Sequence, residues 1–467
     1  MNSTKTYIDH TWDTSIIPAL KEYIAIPALS PGFEADWEKK GYLTDSLKLA
    51  ERWCRDQELE NTDISIVSEP GRSPLLLVEV GAFNTSSGGT TLFYGHLDKQ
   101  PEAEGWDENK GPWTPVIEEG KLYGRGSADD GYAVFTAVTA IKTLQVNNLS
   151  HGRCVILIET CEESGSLDLP HYLETCKKII GEPELVVCLD SGINDYEGMW
   201  LTASLRGVIE ARLDVSLLTQ GIHSGGSGMV ASSFRVMRTL LDRVEDAGTG
   251  EILIKELHSK IPEERLSQIR EAAEITGDSL AATLPLADGV RPMAEDPATL
   301  ILNSSWKPML SYIGADGFPE TSGAGNVLRP STSILLSFRT PPPVDTAAAA
   351  EILKSVLEKD PPFNAKVRCE VLGHARGWDM PSMGDKLNGK IIRTAESVFG
   401  KRPAYVCEGG TIPLMTMLLE RFPGAKFIIT GVLGPNANAH GPNEFLHIPY
   451  AKKLTLVVSQ IIAEERG

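Results

Sequence analysis

Apolar residues along the first 200 positions follow two rhythms. Leu43, Leu47, Leu49, Ala50 and Trp53 recur at roughly helical spacing, as do Val134, Ala137, Val138 and Ile141. They predict one helix over 43–53 and another over 129–144. Short apolar runs lie around them: LLLVEVG (75–81), TLFYGH (91–96), CVILIE (154–159) and LVVCLD (185–190). Each run is short and ends in glycine or polar residues, so each reads as a buried strand. Strands alternating with helices predict an α/β domain with a largely parallel sheet.

From residue 206 the rhythm changes. RGVIEARLDVSLL (206–218) interleaves apolar and charged positions, as a half-exposed strand does. A helix is expected around 230–247, and 255–300 reads as a charged, partly helical insertion. SILLSFR (333–339) predicts another strand, and Pro341-Pro342-Pro343 forces a turn after it. An amphipathic helix over 345–359 and a strand over 367–373 complete two strand–helix–strand units. The expected organisation is a first domain over 1–205, an inserted α+β domain over 206–378, and the first domain resumed over 379–467. That last part should carry a helix, the strand KFIITGV (426–432) and a final helix at 451–464.

Bulk properties narrow the partners. A chain of 467 residues calls for two to three domains, and 42% hydrophobic with 23% charged residues is an ordinary globular balance. A formal net charge of -19 repels phosphate backbones and anionic lipids, which argues against nucleic acid and membrane partners. The seven cysteines are scattered and form no Cys-x-x-Cys, as expected of reduced, buried thiols. The N-terminus lacks the charged and apolar regions of a signal peptide, and no apolar run reaches membrane-spanning length. A cytoplasmic protein is expected.

The candidate chemistry sits where strands end. TLFYGHLD, CVILIETCEE and LVVCLDSG each pass from an apolar strand directly to acidic or histidine residues. Ligands of open α/β sheets bind beyond the carboxyl ends of strands, so His96, Asp98, Glu162, Glu163 and Asp190 should meet along one sheet edge. His-x-Asp alone is more often a polar strand end. Asp129 and Asp130 could merely cap a helix, or one of them could bridge two cations. Adjacent glutamates are usually solvated, but after a buried strand two like charges are costly without a compensating metal. His440, in Ala-His-Gly-Pro-Asn-Glu, and His223, in Gly-Ile-His-Ser-Gly, would each pass alone as loop histidines. Imidazole and carboxylate donors without cysteine suit zinc, manganese or cobalt, with zinc favoured.

Taken in order, Tyr-Gly-His-Leu-Asp, Gly-Arg-Gly-Ser-Ala-Asp-Asp, Glu-Glu-Ser-Gly-Ser, Leu-Asp-Ser, His-Ser-Gly and Ala-His-Gly-Pro-Asn-Glu resemble the carnosinase, aminoacylase and acetylornithine deacetylase family of dinuclear zinc hydrolases. The resemblance covers nearly the whole chain and is nearest to the carnosinase-like dipeptidase branch. It implies a parallel-sheet zinc-peptidase catalytic domain with an inserted lid that forms a homodimer. It implies two zinc ions per subunit, with Asp129 bridging, His96 and Asp190 completing one site, and Glu163 and His440 the other. Asp98 would orient His96, and Glu162 would take a proton from the attacking water and return it to the leaving amine. His223 would act on the partner subunit's oxyanion. Arg339 would meet the substrate carboxylate, with Gly409, Gly410 and Thr411 offering donors and Asn326 assisting. In two places the chain departs from the pattern: Gly131-Tyr132 stands where many members carry Lys-Gly, and Lys99 is unusual beside the ligands.

The implied activity is hydrolysis of dipeptides or short peptides with a free C-terminal carboxylate. An N-acyl-amino-acid deacylase or desuccinylase would use the same chemistry on the same fold. A silent amino-acid-binding protein is the alternative from another class, and the complete ligand set argues against it.

Overall fold

The computed structural model describes residues 2–85, 88–282 and 284–464. The chain divides into two compact units: Met1–Thr202 with Met380–Val406 and Met417–Gly467, and Ala203–Asp379 with Cys407–Thr416.

The first unit opens with helices and then α1 (Tyr42–Asp56), followed by β1 (Thr62–Val67), β2 (Leu75–Val80) and β3 (Thr90–His96). Helix α2 (Tyr132–Val146), β4 (Arg153–Glu159) and β5 (Leu185–Cys188) follow. Helix α2 begins at Tyr132, three residues later than the periodicity suggests, and it is buried almost all round. A helix without a polar face belongs inside a core, and Trp53 of α1 meets Phe135 of α2 edge-on at 4.8 Å.

The second unit carries β6 (Gly207–Ser216), α3 (Ser233–Leu241), α4 (Glu263–Thr276), α5 (Pro297–Ser305), β7 (Met309–Asp316), β8 (Ser331–Thr340), α6 (Thr346–Glu358) and β9 (Lys366–Ala375). These four strands form an antiparallel sheet in the order β7-β8-β6-β9. Burial alternates along β6 as its sequence does. Ile209, Ala211, Leu213 and Val215 join Leu336 and Phe338 of β8 in one core. Val236, Met237 and Leu240 of α3 and Leu353 and Leu357 of α6 pack into the same core. The Asp345 carboxylate caps α6 by accepting from the Ala348 amide at 3.2 Å.

The chain then returns to the first unit with α7 (Gly384–Phe399), β10 (Lys426–Ile429) and α8 (Ile448–Ile462), which packs on α2. The completed six-stranded sheet has the order β1-β2-β4-β3-β5-β10. Strands β4, β3, β5 and β10 run parallel, and β1 and β2 add antiparallel pairs at one edge.

Residues 407–416 belong with the second unit, although the sequence places all of 379–467 in the resumed first domain. The cause is polar: Arg206 Nε donates to the Gly409 carbonyl at 3.1 Å, and the Thr411 hydroxyl donates to the Arg206 carbonyl at 2.6 Å. The seven cysteines are all buried and unpaired. Among the described residues no helix is long and apolar enough to cross a membrane.

Leu336 is fully buried in the second unit's core. Leu336→Ala should cost about 2–5 kcal/mol through lost transfer energy and the cavity left behind. Urea unfolding followed by near-ultraviolet circular dichroism checks this, and an unchanged midpoint would place Leu336 outside the core.

Candidate metal centre

Strands β4, β3 and β5 lie side by side and parallel, so their carboxyl ends deliver residues to one place. His96 is the last residue of β3, and Asp98 lies two positions on. Glu162 and Glu163 occupy a 3-10 turn after β4, and Asp190 lies two residues beyond β5. Asp129 comes from the turn before α2, and its peptide bond to Asp130 is cis. It caps no helix: Gly131 holds the N-cap position of α2.

These residues form two triads sharing Asp129: His96, Asp129 and Asp190, and Asp129, Glu163 and His440. Within each triad the donor atoms lie within 4.8 Å of one another. Asp129 Oδ1 is 3.3 Å from His96 Nε2, and its Oδ2 is 3.1 Å from His440 Nε2. His440 Nε2 is 3.2 Å from Glu163 Oε2, and His96 Nε2 is 3.8 Å from Asp190 Oδ2. Glu162 Oε2 stands beside the first triad, 3.9 Å from His96 Nε2.

Asp98 fixes two parts of this arrangement. His96 Nδ1 is 3.1 Å from the Asp98 carbonyl oxygen and 3.4 Å from its carboxylate, so a proton on Nδ1 is held there and Nε2 turns toward Asp129. The Asp98 carboxylate also accepts from the Glu162 and Glu163 amides, at 3.2 and 3.0 Å. The strand end and the glutamate turn are thereby pinned together.

The charge balance calls for a cation. Against burial, which favours the neutral acid, His440 and His96 hold Asp129 below the ordinary carboxylate range. Burial and Asp190 push Glu162 well up, while burial and Asp129 push Glu163 up. Hydrogen bonds to Asp129 and Glu163 raise His440 to about 10. Burial opposes a charge on His96, but Asp129 and Asp98 raise it well above the usual imidazole value. Protons are thus drawn to the positions where divalent cations would sit. Oxygen and imidazole donors in two triads around a shared carboxylate fit a pair of such ions.

Sequence reasoning passed over the brace behind the centre. Glu444, fully buried, accepts from the Gly126, Ala128 and Asp129 amides at 3.1, 3.2 and 3.3 Å, and from Arg125 Nη1 at 2.9 Å. Arg125 Nη2 in turn donates to the Gly441 carbonyl at 2.9 Å. One ion pair therefore ties the Asp129 loop to the His440 loop. Gln100 also contributes, donating to Glu163 Oε2 at 2.6 Å. The glutamate closing Ala-His-Gly-Pro-Asn-Glu was the available signal.

The two departures from the family pattern meet at Tyr23. A side chain at Gly131 would put its Cβ 2.2 Å from the Tyr23 ring. The buried Lys99 ammonium lies 3.9 Å from the centre of that ring and donates to the Tyr23 and Ile26 carbonyls, both at 2.8 Å.

The remaining expected residues lie in the second unit. His223 is exposed and pairs with Val327, and the Ser224 amide donates to the Asn326 carbonyl at 2.9 Å. Arg339 Nη1 donates to the Thr411 hydroxyl at 2.9 Å. Arg206, which the motifs did not mark, adjoins the same loop through Gly409. Gly410 has open space where a Cβ would be.

The chain is 27% identical over 387 residues to a cysteinylglycine-S-conjugate dipeptidase of Corynebacterium striatum, covering 78% of this chain and 79% of that protein. It is 26% identical over 429 residues to a β-Ala-His dipeptidase of Rattus norvegicus, covering 87% and 84%. The structure of human carnosine dipeptidase 1 superposes with a TM-score of 0.74 at 21% identity, over 99% of this chain and 98% of that one. A match to peptidase family M20/M25/M40 runs over residues 92–464 and takes in every residue of both triads. The chain therefore belongs to peptidase family M20/M25/M40 and is a metallopeptidase.

Proposed function

We propose that this protein hydrolyses the amide bond of dipeptides or short peptides that carry a free C-terminal carboxylate. The observation that carries the reading is the pair of triads around Asp129 with Glu162 standing beside them. His96, Asp129 and Asp190 would hold one divalent cation, and Asp129, Glu163 and His440 a second, with zinc the favoured metal and manganese or cobalt able to replace it. When bound, the ions supply an acidified water and polarise the scissile carbonyl. Glu162 takes the proton of the attacking water and hands it to the leaving amine. Its place outside both triads leaves it free for that exchange. Asp98 keeps His96 and the glutamate turn in register. Arg339 meets the substrate carboxylate with Gly409, Gly410, Thr411 and Asn326, a role supported by a guanidinium that donates to a hydroxyl rather than to an acid.

The protein works as a homodimer through its second unit, with His223 steadying the oxyanion in the partner's site. Exposed Tyr312 and Ile313 on edge strand β7, beside exposed Phe234 and Phe318, support such an interface. Seven unpaired thiols support a reducing, cytoplasmic setting.

Zinc-reconstituted protein should cleave dipeptides faster than N-acetyl or N-succinyl amino acids. Turnover of the acylated compounds alone would reassign it as a deacylase. Glu162→Ala should lower kcat about 10²–10⁴-fold with zinc content unchanged by elemental analysis; a near-normal rate would remove Glu162 as the base.

Because Glu163 and both imidazoles have raised pKa values, loading the centre must displace protons. Zinc affinity should rise with pH, by about tenfold per unit for each proton displaced. Competition titrations between pH 5.5 and 7.5 check this, and a flat profile would contradict the assignment of these residues as ligands.

Mixing inactive Glu162→Ala protein with inactive His223→Ala protein should restore activity, since a mixed dimer recovers one complete site. No recovery after confirmed subunit exchange would show that His223 does not act across the interface.

A further inference from the structure

The second unit holds a cavity of about 470 Å³ that the hydrolytic reading leaves unused. Its walls are aliphatic: Leu280, Leu284, Leu286, Met293 and Leu300 line it, with Met309 and Leu310 at the start of β7. A volume of this size falls within the range of small-molecule sites, roughly 300–1,000 Å³.

One end of the cavity is polar, and that end joins the loop proposed to meet the substrate carboxylate. Arg206 lines the cavity and is only 9% exposed. Its Nε donates to the Gly409 carbonyl, and the Thr411 hydroxyl links the Arg206 carbonyl to the Arg339 guanidinium. Met309 is the cross-strand partner of Arg339, which brings the apolar wall to the same arginine. Gly409 is packed too closely for any side chain: a Cβ would lie 2.7 Å from the Ser304 carbonyl and 3.0 Å from Arg206 Nη2.

The two arginines lack an acid. Arg206 donates to the Gly409 and Asn303 carbonyls, Arg339 donates to the Thr411 hydroxyl, and no carboxylate among the described residues pairs with either. Burial and the neighbouring Arg339 charge lower the Arg206 pKa to about 10, so it still carries its proton at neutral pH. Two near guanidiniums without a counter-ion make a receptor for an anion, and the aliphatic cavity begins where that anion would lie.

We propose that this cavity is a side-chain pocket that selects substrates whose C-terminal residue is large and apolar, with Arg206 joining Arg339 in holding that residue's carboxylate. The proposal rests on the hydrolytic reading given above. A leucine or phenylalanine side chain leaving a carboxylate held at the arginines would bury its carbon against Leu284, Leu286 and Met293. Glycine would leave the cavity to water. Burial of one such side chain corresponds to a preference of about ten- to a hundredfold in kcat/KM. Arg291, also lining the cavity but exposed, is the one feature that would favour an acidic side chain instead.

The test uses zinc-loaded full-length protein and four dipeptides that share an N-terminal alanine: Ala-Leu, Ala-Phe, Ala-Gly and Ala-Asp. Ala-Leu and Ala-Phe are expected to exceed Ala-Gly in kcat/KM by at least tenfold. Leu284→Asp, at a partly exposed wall position, should lower the Leu-to-Gly ratio by about tenfold, with circular dichroism confirming the fold. Equal rates for Ala-Gly and Ala-Leu, or a preference for Ala-Asp, would overturn the pocket while leaving the peptidase reading intact. If only acylated amino acids turn over, N-acetyl-leucine against N-acetylglycine decides the same point. If no amide is cleaved by the loaded protein, the hydrolytic reading falls and the pocket assignment falls with it.

Discussion

Asp129 stands between two imidazoles, His96 at 3.3 Å and His440 at 3.1 Å, and Asp98, Glu162, Glu163 and Asp190 gather around that axis. Carboxylates this close repel one another strongly once they are out of water, and burial removes the solvent that would screen them. The polypeptide answers with protons drawn to the glutamates and histidines. A divalent cation answers the same need with more charge in less space. The centre is therefore a concentration of negative charge that the fold holds in place, and its chemistry follows from what is recruited to balance it.

Holding it in place takes more than the donors. Backbone amides on the Asp129 loop converge on buried Glu444, and Arg125 completes the pair. A buried ion pair is expensive to form but very costly to break on one side. Its value here is positional, because it sets the shared aspartate and the His440 loop in one rigid frame. Asp98 does the same on the opposite side, joining His96 to the glutamate turn. The second unit shows the reverse polarity, with Arg206 and Arg339 close together and, among the described residues, no acid paired with either.

Much of this was legible in the sequence because its signals are short-range. An apolar run passing directly into His-x-Asp, Glu-Glu or Asp marks a strand end facing a site, and β3, β4 and β5 place those residues as the pattern implies. The alternation of 206–218 was equally readable, since one face of β6 is buried and the other is not. Strand β7 was not, because it is an edge strand whose residues are mostly exposed on both faces. Nor were the partners of Glu444 and Arg206, which lie 319 and 203 positions away and depend on tertiary proximity alone. The move of Cys407–Thr416 into the second unit rests on those same long-range hydrogen bonds.

That exchange of segments has a bearing on how the chain comes into being. The first sheet lacks β10 until Lys426–Ile429 has been made, and helix α8, which packs on α2, ends at Ile462. The second unit gains its last segment, Cys407–Thr416, after the rest of it is complete at Asp379. During vectorial synthesis from the N-terminus neither unit has all of its segments until most of the polypeptide has left the ribosome, whereas a chain of contiguous domains folds piece by piece. Nascent β3, β4 and β5, rich in aliphatic residues, must wait with their β10 edge uncovered. No contiguous stretch of the gene encodes either unit whole.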